Sequence, residues 1–348
     1  MLQTVLPAFG INEKTSQIIP FGSGLINNTW KVVTPGGDFI LQRLNTNVFK
    51  KPLEIAENIS LIASYLAGHF PEYKFVAPIA AINGDAMAHV AGEGYFRLFP
   101  FVPASHTIDV VETPAQAYEA AKQFGRFTML LKDFDTGKLN MTIPAFHDLS
   151  LRYQQFLTSL KSGNQQRIEA AKDLVEASLQ HADIVAEYEA ITSDAGFRQR
   201  VTHHDTKISN VLFNDADKGI CVIDLDTLMP GYFISDVGDM MRTYLCPVSE
   251  EETDLSRIEI RTDFYRAIVN GYFSEMNGVL TKKEQGYFFY AGKFMIYMQA
   301  LRFITDHFNN DEYYGAKYPG HNLNRAANQL LLLQKLLEKE DVLIDCLS

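Results

Sequence analysis

Residues Val201-Thr202-His203-His204-Asp205-Thr206-Lys207-Ile208-Ser209-Asn210, followed by Cys221-Val222-Ile223-Asp224-Leu225-Asp226, carry the densest chemistry of this chain. Asp205 is followed five positions later by Asn210, and Asp224 stands fourteen residues beyond that. Moving a phosphoryl group from a nucleotide to a hydroxyl needs one carboxylate to orient the attacking O–H. It also needs oxygen ligands to hold magnesium on the phosphates. Asp205, Asn210 and Asp224 have the right types for those three tasks. Plainer roles exist for several neighbours: Asp205 as the N-cap of a short turn, Asp226 as an outer carboxylate, His203 as a loop-orienting hydrogen-bond partner, and His204 as an incidental neighbour. Asp224 fits no plain surface role, because it ends an apolar run where an unpaired charge is costly.

Val211-Leu212-Phe213 and Ile220-Cys221-Val222-Ile223 read as strands around the polar turn Asn214-Asp215-Ala216-Asp217-Lys218-Gly219. A hairpin of that form sets Asn210 and Asp224 side by side at its outer ends. Asp205, Asn210 and Asp224 at these intervals resemble the catalytic loop and metal-binding segment of kinase-like folds. His203-His204-Asp205 stands where protein kinases have His-Arg-Asp, so the likeness is to the aminoglycoside phosphotransferase and choline kinase superfamily.

That resemblance implies an α+β, two-lobed protein-kinase-like fold, with a β-rich lobe over residues 1–103 and a larger, mainly helical lobe over 104–348. Ile18-Ile19-Pro20-Phe21, Thr29-Trp30-Lys31-Val32-Val33 and Phe39-Ile40-Leu41 are β-prone runs. Between the first two, Gly22 and Gly24 belong either to a plain hairpin bend or to a loop whose amides cover phosphates. After the third come Gln42 and Arg43, where kinase-like folds place a basic residue over the nucleotide phosphates. Alternation along a strand lets only one of the two face the cleft, and Arg43 is the expected one. A helix over 52–66 carries Glu54 and Glu57, either of which can pair with Arg43. Tyr95-Phe96-Arg97-Leu98-Phe99 runs into a proline-bounded hinge, with Phe99 and Phe101 placed by chain order beside adenine.

From Thr113 onward the pattern is helical. Thr113-Pro114-Ala115-Gln116 and Thr281-Lys282-Lys283-Glu284 are capping-box starts. Helices are expected over 115–132 and 283–308, with one long helix over 164–191. Glu250-Glu251-Glu252-Thr253-Asp254 is expected as a solvated helix start.

The 348 residues are 47% hydrophobic, enough for a large core, and the net charge of −11 disfavours nucleic acid or an anionic membrane as the main partner. Cys221, Cys246 and Cys346 have no metal-ligand spacing and are too few for a disulfide framework, so a reducing cytoplasmic setting is expected. The first residues lack a signal-peptide pattern, and no run approaches the ~20 apolar residues of a membrane span.

Further segments are similar to one branch of the superfamily, the N-acetylhexosamine 1-kinases. They include Ile40-Leu41-Gln42-Arg43-Leu44-Asn45-Thr46-Asn47-Val48-Phe49, Asp236-Val237-Gly238-Asp239-Met240-Met241-Arg242, Leu301-Arg302-Phe303-Ile304-Thr305-Asp306 and His321-Asn322-Leu323-Asn324-Arg325-Ala326. The resemblance implies ATP and Mg2+, Asp205 as the catalytic carboxylate, Asn210 and Asp224 as metal ligands, and Glu57 as the helix partner of the basic residue. It also implies a sugar contact for Arg302, whose plain alternative is an i,i+4 pair with Asp306. The branch often has Gly-His-Ile-Asn in its glycine loop, whereas this chain has Gly24-Leu25-Ile26-Asn27. Two other readings share the same residues: a kinase for another small alcohol (a different hexose, choline or an aminoglycoside), and a non-catalytic nucleotide-binding protein.

Overall fold

The computed structural model of the chain describes residues 2–22 and 26–345. Five antiparallel strands form the N-terminal sheet: β1 (Gln17–Pro20), β2 (Asn28–Thr34), β3 (Gly37–Arg43), β4 (Ala88–Val90) and β5 (Gly94–Pro100), in spatial order β1-β2-β3-β5-β4. Alternation gives the sheet two unlike faces. Val32, Leu41, Phe96 and Leu98 turn outward and are buried beneath Val5, Leu6 and Phe9 from the short 3-10 turns at the start of the chain, with the sole tryptophan, Trp30, packed beside them. Their sequence neighbours, Lys31, Gln42, Arg97 and Phe99, therefore face the opposite way. Helix α1 (Pro52–His69) begins on a proline and buries Ile55, Ile59, Ile62 and Leu66 at helical spacing, joining the core of the helical region.

The rest of the chain is mainly helical. β6 (Ser105–His106) is followed by α2 (Pro114–Leu130), which starts on the expected Thr113–Gln116 capping box. Next come α3 (Leu149–Ser162), α4 (Gln165–Ala170), α5 (Lys172–Gln180) and α6 (Asp183–Ser193), then β7 (Arg200–Thr202), β8 (Val211–Asn214), β9 (Gly219–Val222) and β10 (Met229–Gly231). β8 and β9 form the expected hairpin, with β6 on its edge, while β7 pairs with β10. The chain ends through α7 (Phe233–Tyr244), α8 (Thr262–Met276), α9 (Lys282–Gln285), α10 (Phe288–Phe308), α11 (His321–Leu337) and α12 (Glu340–Ile344). α10 is buried around nearly its whole circumference and forms the axis of the core. α2 and α8 touch backbone to backbone: a Cβ on Gly271 would lie 2.3 Å from the Tyr118 carbonyl oxygen.

Three helical expectations need correction. Residues 164–191 form three short helices, because Ala171 (φ −111°, ψ 19°) and His181 (φ −100°, ψ 21°) leave helical geometry. The segment 283–308 breaks at Gly286 and Tyr287, which separate the capped turn α9 from α10. The 250–254 acidic run does lead into a helical turn, Asp254 capping the 3-10 turn Leu255–Arg257 through the Ser256 amide at 3.1 Å, but it is not merely solvated: Glu250 pairs with Arg242 and Arg325, Glu251 with Lys317 and His321, and Glu252 with Arg257. Among the described residues no helix is long and apolar enough to cross a membrane.

Candidate active site

The loop between β7 and β8 is held almost entirely by buried hydrogen bonds. Asp236, in the first turn of α7, accepts the His203 amide at 3.1 Å and the His204 amide at 2.8 Å. One helical turn later Asp239 accepts the Thr206 amide at 2.8 Å. The Thr227 hydroxyl donates to the His203 carbonyl at 2.5 Å. The i,i+3 spacing puts both carboxylates on one face of α7, directly under the loop. Burial pushes Asp236 up to about 7, against the pull of the two amides. His203 takes the orienting role expected of it. Its Nε2–H donates to the Ile223 carbonyl at 2.9 Å, and its Nδ1 accepts the Asp205 amide at 3.4 Å. Burial lowers its proton affinity, which suits a neutral ring with this tautomer. His204 is more than an incidental neighbour. It adopts φ 64° and fixes its ring against the Thr202 and Thr227 carbonyls. That strained turn brings Asp205 out of the loop. The Asp205 carboxylate caps no helix; it meets the Lys207 ammonium at 3.0 Å. Burial works against charge on Lys207, but Asp205 and Asp224 outweigh it and hold the ammonium up.

The β8–β9 hairpin does what the spacing requires. Val211 faces Val222, and the Ile223 amide donates to the Asn210 carbonyl at 2.8 Å, so Asn210 and Asp224 flank the same end. Asn210 spends its amide N–H on the Asp205 carbonyl at 2.9 Å, which leaves its side-chain oxygen as an acceptor. Asp224 sits in left-handed backbone (φ 60°, ψ 64°), and its carboxylate has no hydrogen-bond or ion-pair partner among the described residues. Burial raises it to about 7, helped by Asp226 and Asp205 and opposed by Lys207 and Arg97. An amide oxygen beside an unpartnered, partly desolvated carboxylate is a donor set that suits a hard divalent cation carried on phosphate.

On the nucleotide side two expectations are corrected. Arg43 faces away from the cleft: it lies on the outer face with Leu41 and approaches Glu93 at 4.0 Å. Gln42 is the inward residue, and its cross-strand partner Arg97 is the cation there. Arg97 is buried, donates to Gln42 Oε1 through Nε at 2.9 Å, and pairs with Asp226. Asp226 also accepts from Asn27 Nδ2 at 2.8 Å, and Asn27 Oδ1 takes the Asn45 amide at 2.9 Å. One carboxylate thus ties the glycine-rich segment and two strands to the end of the hairpin. Glu57 does not reach a basic residue; it stands on the exposed face of α1 and accepts from Asn140 at 2.8 Å. Neighbouring Asn58 is the buried one, bonded to the Asn140 and Leu228 carbonyls. Gly22 adopts φ 80°, a turn conformation that favours glycine, while Gly24 and Leu25 lie outside the described residues.

At the hinge, the Phe101 amide donates to the Asp38 carbonyl at 3.0 Å. The antiparallel ladder therefore turns the Pro100 carbonyl and the Val102 amide the other way, as an acceptor–donor pair beside the cleft. Val76, Val102 and the buried thiol of Cys221 form an apolar cluster there, with Phe99 against it. The Lys31 ammonium lies 3.9 Å from the Phe101 ring centroid, and Phe21 packs edge-on against the same ring at 6.1 Å.

A sequence profile described as the APH phosphotransferase enzyme family matches residues 17–276, which spans the sheet, the loop, the hairpin and α7. The chain belongs to the phosphotransferase enzyme family. Similar solved structures include a microcompartment-associated aminopropanol kinase (15% identity, 97% of each chain covered, TM-score 0.62). Another is an aminoglycoside phosphotransferase from Alicyclobacillus acidocaldarius (13% identity, 98% of this chain and 96% of that one, TM-score 0.60). A third is an amicoumacin kinase in complex with AMP-PNP and Ca2+ (12% identity, 94% of this chain and 90% of that one, TM-score 0.62). At these identities the likeness is one of fold: a mixed α/β chain with a β-sheet N-terminal region and a helical C-terminal part.

In this phosphotransferase Arg302, on α10, does not pair with Asp306. Asp306 instead accepts the Tyr313 and Tyr314 amides at 2.7 and 2.9 Å. The Arg302 guanidinium lies 5.4 to 5.8 Å from the rings of Phe146, Tyr313 and Tyr314. Phe146 is 6.3 Å and His147 5.2 Å from the His204 ring, so this aromatic nest adjoins the loop that carries Asp205. Beside Lys207 opens a cavity of about 590 Å3 lined by Arg242, Tyr244, Glu250 and Asn328 among others.

Proposed function

We propose that the chain is an ATP-dependent kinase that phosphorylates the anomeric C1 hydroxyl of N-acetylhexosamines, giving the sugar 1-phosphate. The observation that carries the kinase part is the convergence of Asp205 with Asn210 and Asp224 on one rigid loop and hairpin. The acceptor rests on the branch-level sequence likeness and on Arg302 beside that loop. The Pro100 carbonyl and Val102 amide would receive adenine, and Asn210 and Asp224 would hold Mg2+. When bound, the cation neutralises charge on the phosphates and fixes their orientation. Asp205 orients the C1 hydroxyl in line and takes its proton late, so no strongly raised basicity is required of it. Lys207, paired with Asp205, supplies positive charge beside the incoming γ-phosphoryl group. His203, Asp236 and Asp239 keep the loop from moving while charge develops, which is where positioning contributes most. The enzyme would act on small molecules in the cytoplasm.

The test is a panel of sugars with ATP and Mg2+, read by ADP release and by the position of the phosphate. N-acetylglucosamine or N-acetylgalactosamine should be phosphorylated at C1, and a methyl glycoside should be inert. A C6 phosphate would overturn the acceptor part. Arg302→Ala should raise the apparent KM for sugar more than that for ATP; equal effects would remove Arg302 from the acceptor side.

Metal binding should depend on pH in a definite direction. Asp224 is raised to about 7, so it is largely protonated below that and must lose its proton to bind a cation. Titrations between pH 5.5 and 8 should show Mg2+-dependent nucleotide affinity rising with pH. Asp224→Asn should raise the Mg2+ requirement by roughly tenfold or more and flatten that rise. A pH-independent requirement in the unmodified protein would move the cation elsewhere.

A further inference from the structure

Two guanidinium groups meet at Phe146 with no carboxylate between them. Arg152, on α3, donates from Nη2 to the Ala145 and Phe146 carbonyls at 3.0 and 3.3 Å, and its Nε is buried without a partner. Arg302 comes from α10 onto the Phe146 ring, and its in-plane donors reach only Gln299 Oε1 at 3.3 Å and the Tyr313 hydroxyl at 3.4 Å. These are long for charged donors. Between them, the Nδ1 of His147 is also buried without a partner. Burial first and then the Arg302 charge disfavour the charged form of Arg152, against the opposing pull of Tyr313, Tyr314 and Asp148, so the two cations repel each other.

The carboxylates nearby are committed elsewhere. Asp148 caps α3 through the Leu151 amide, Asp239 holds Thr206 and Arg242, Asp306 holds two amides and Asn322, and Glu250 bridges Arg242 and Arg325. A protonated amine entering here finds two like charges, with Asp148, the cap of α3, the one carboxylate acting on Arg152. A carboxylate finds the unpartnered Arg152 Nε–H and the loosely held Arg302 fork, while Arg152 Nη1 stays on Gln155 Oε1 at 3.1 Å.

We propose that Arg152 and Arg302 form a site for a carboxylate on the acceptor, so that this cleft also phosphorylates the C1 hydroxyl of hexuronic acids and turns away hexosamines bearing a free ammonium. The proposal rests on the kinase reading and on the acceptor lying beside Arg302. In the added reaction the C1 oxygen forms a bond to the γ-phosphorus, and the bond from that phosphorus to the β,γ-bridging oxygen breaks. ADP departs with the electron pair, and the hydroxyl proton passes to Asp205. Arg152 is thereby a specificity-determining residue that sequence periodicity on α3 gives no reason to single out.

Glucuronate, N-acetylglucosamine and glucosamine, each with ATP and Mg2+, should be compared by kcat/KM and by product analysis at neutral pH. Glucuronate should yield the 1-phosphate, and glucosamine should be used roughly tenfold to a hundredfold less well than either other sugar. Arg152→Gln should lower kcat/KM for glucuronate more than for N-acetylglucosamine by roughly tenfold and should narrow the deficit of glucosamine. Arg152→Lys, which keeps the charge, should recover part of the glucuronate activity, and circular dichroism of both variants checks their folding. Turnover of N-acetylglucosamine without glucuronate would overturn the carboxylate site and leave the hexosamine reading standing. Turnover of glucuronate alone would do the reverse. Glucosamine used as well as the others, or an equal loss for all sugars in Arg152→Gln, would overturn the proposal.

Discussion

Asp205→Asn should lower kcat for phosphoryl transfer by about two to four orders of magnitude while leaving nucleotide affinity within a few-fold. The substitution keeps the shape of a side chain whose backbone is fixed on both sides. The Asp205 amide is held by His203, and its carbonyl accepts from Asn210. What disappears is the charge that orients the acceptor hydroxyl and accepts its proton, together with the 3.0 Å partner of Lys207. ADP release under saturating substrates measures the first effect, and calorimetric nucleotide binding the second. Turnover within a few-fold of the unmodified chain would remove Asp205 from the chemistry. A parallel collapse of nucleotide binding would show that it acts by holding the site together.

The largest effect on stability should come from Arg97→Met. Arg97 and Asp226 are both buried, and apart from Arg97 the Asp226 carboxylate has only the Asn27 amide as a side-chain partner among the described residues. Removing one member of a buried pair leaves an uncompensated charge, which costs about 3–5 kcal/mol. Denaturant unfolding near neutral pH should show a loss of that order. The double substitution Arg97→Met with Asp226→Leu should recover much of it, since apolar replacement of a whole buried pair is often neutral. A loss below about 1 kcal/mol would mean that water reaches the pair.

What the sequence made legible was local. The hairpin was readable because its strands are apolar and its turn is polar over a dozen consecutive residues, and the capping boxes because their partners lie three residues apart. The juxtaposition of Asn210 and Asp224 followed from hairpin geometry. The inward face of β3 was not readable, because strand alternation gives a period and no phase. That phase is set by Val5, Leu6 and Phe9, distant residues that cover the side shared by Leu41 and Arg43. Arg97 escaped notice for the same reason: its partners Gln42 and Asp226 lie 55 and 129 residues away. Asp236 and Asp239 did carry a signal, two carboxylates three apart on a helix of apolar neighbours, but only the loop above them shows what they hold. The 164–191 segment has the composition of one helix, and no proline marks where it bends.

The outer face of the small sheet also has an optical consequence. Trp30 is the sole indole of the chain, so selectively excited emission comes from one point, beside Arg43 and Glu93 and across the sheet from the proposed nucleotide site. A change in that emission on adding nucleotide cannot be direct quenching by adenine and must be transmitted through β2, whose residues Thr29 and Lys31 face the cleft on either side of the indole. Emission from this chain therefore reports on the shape of the sheet and registers occupancy of the proposed nucleotide site only through that shape.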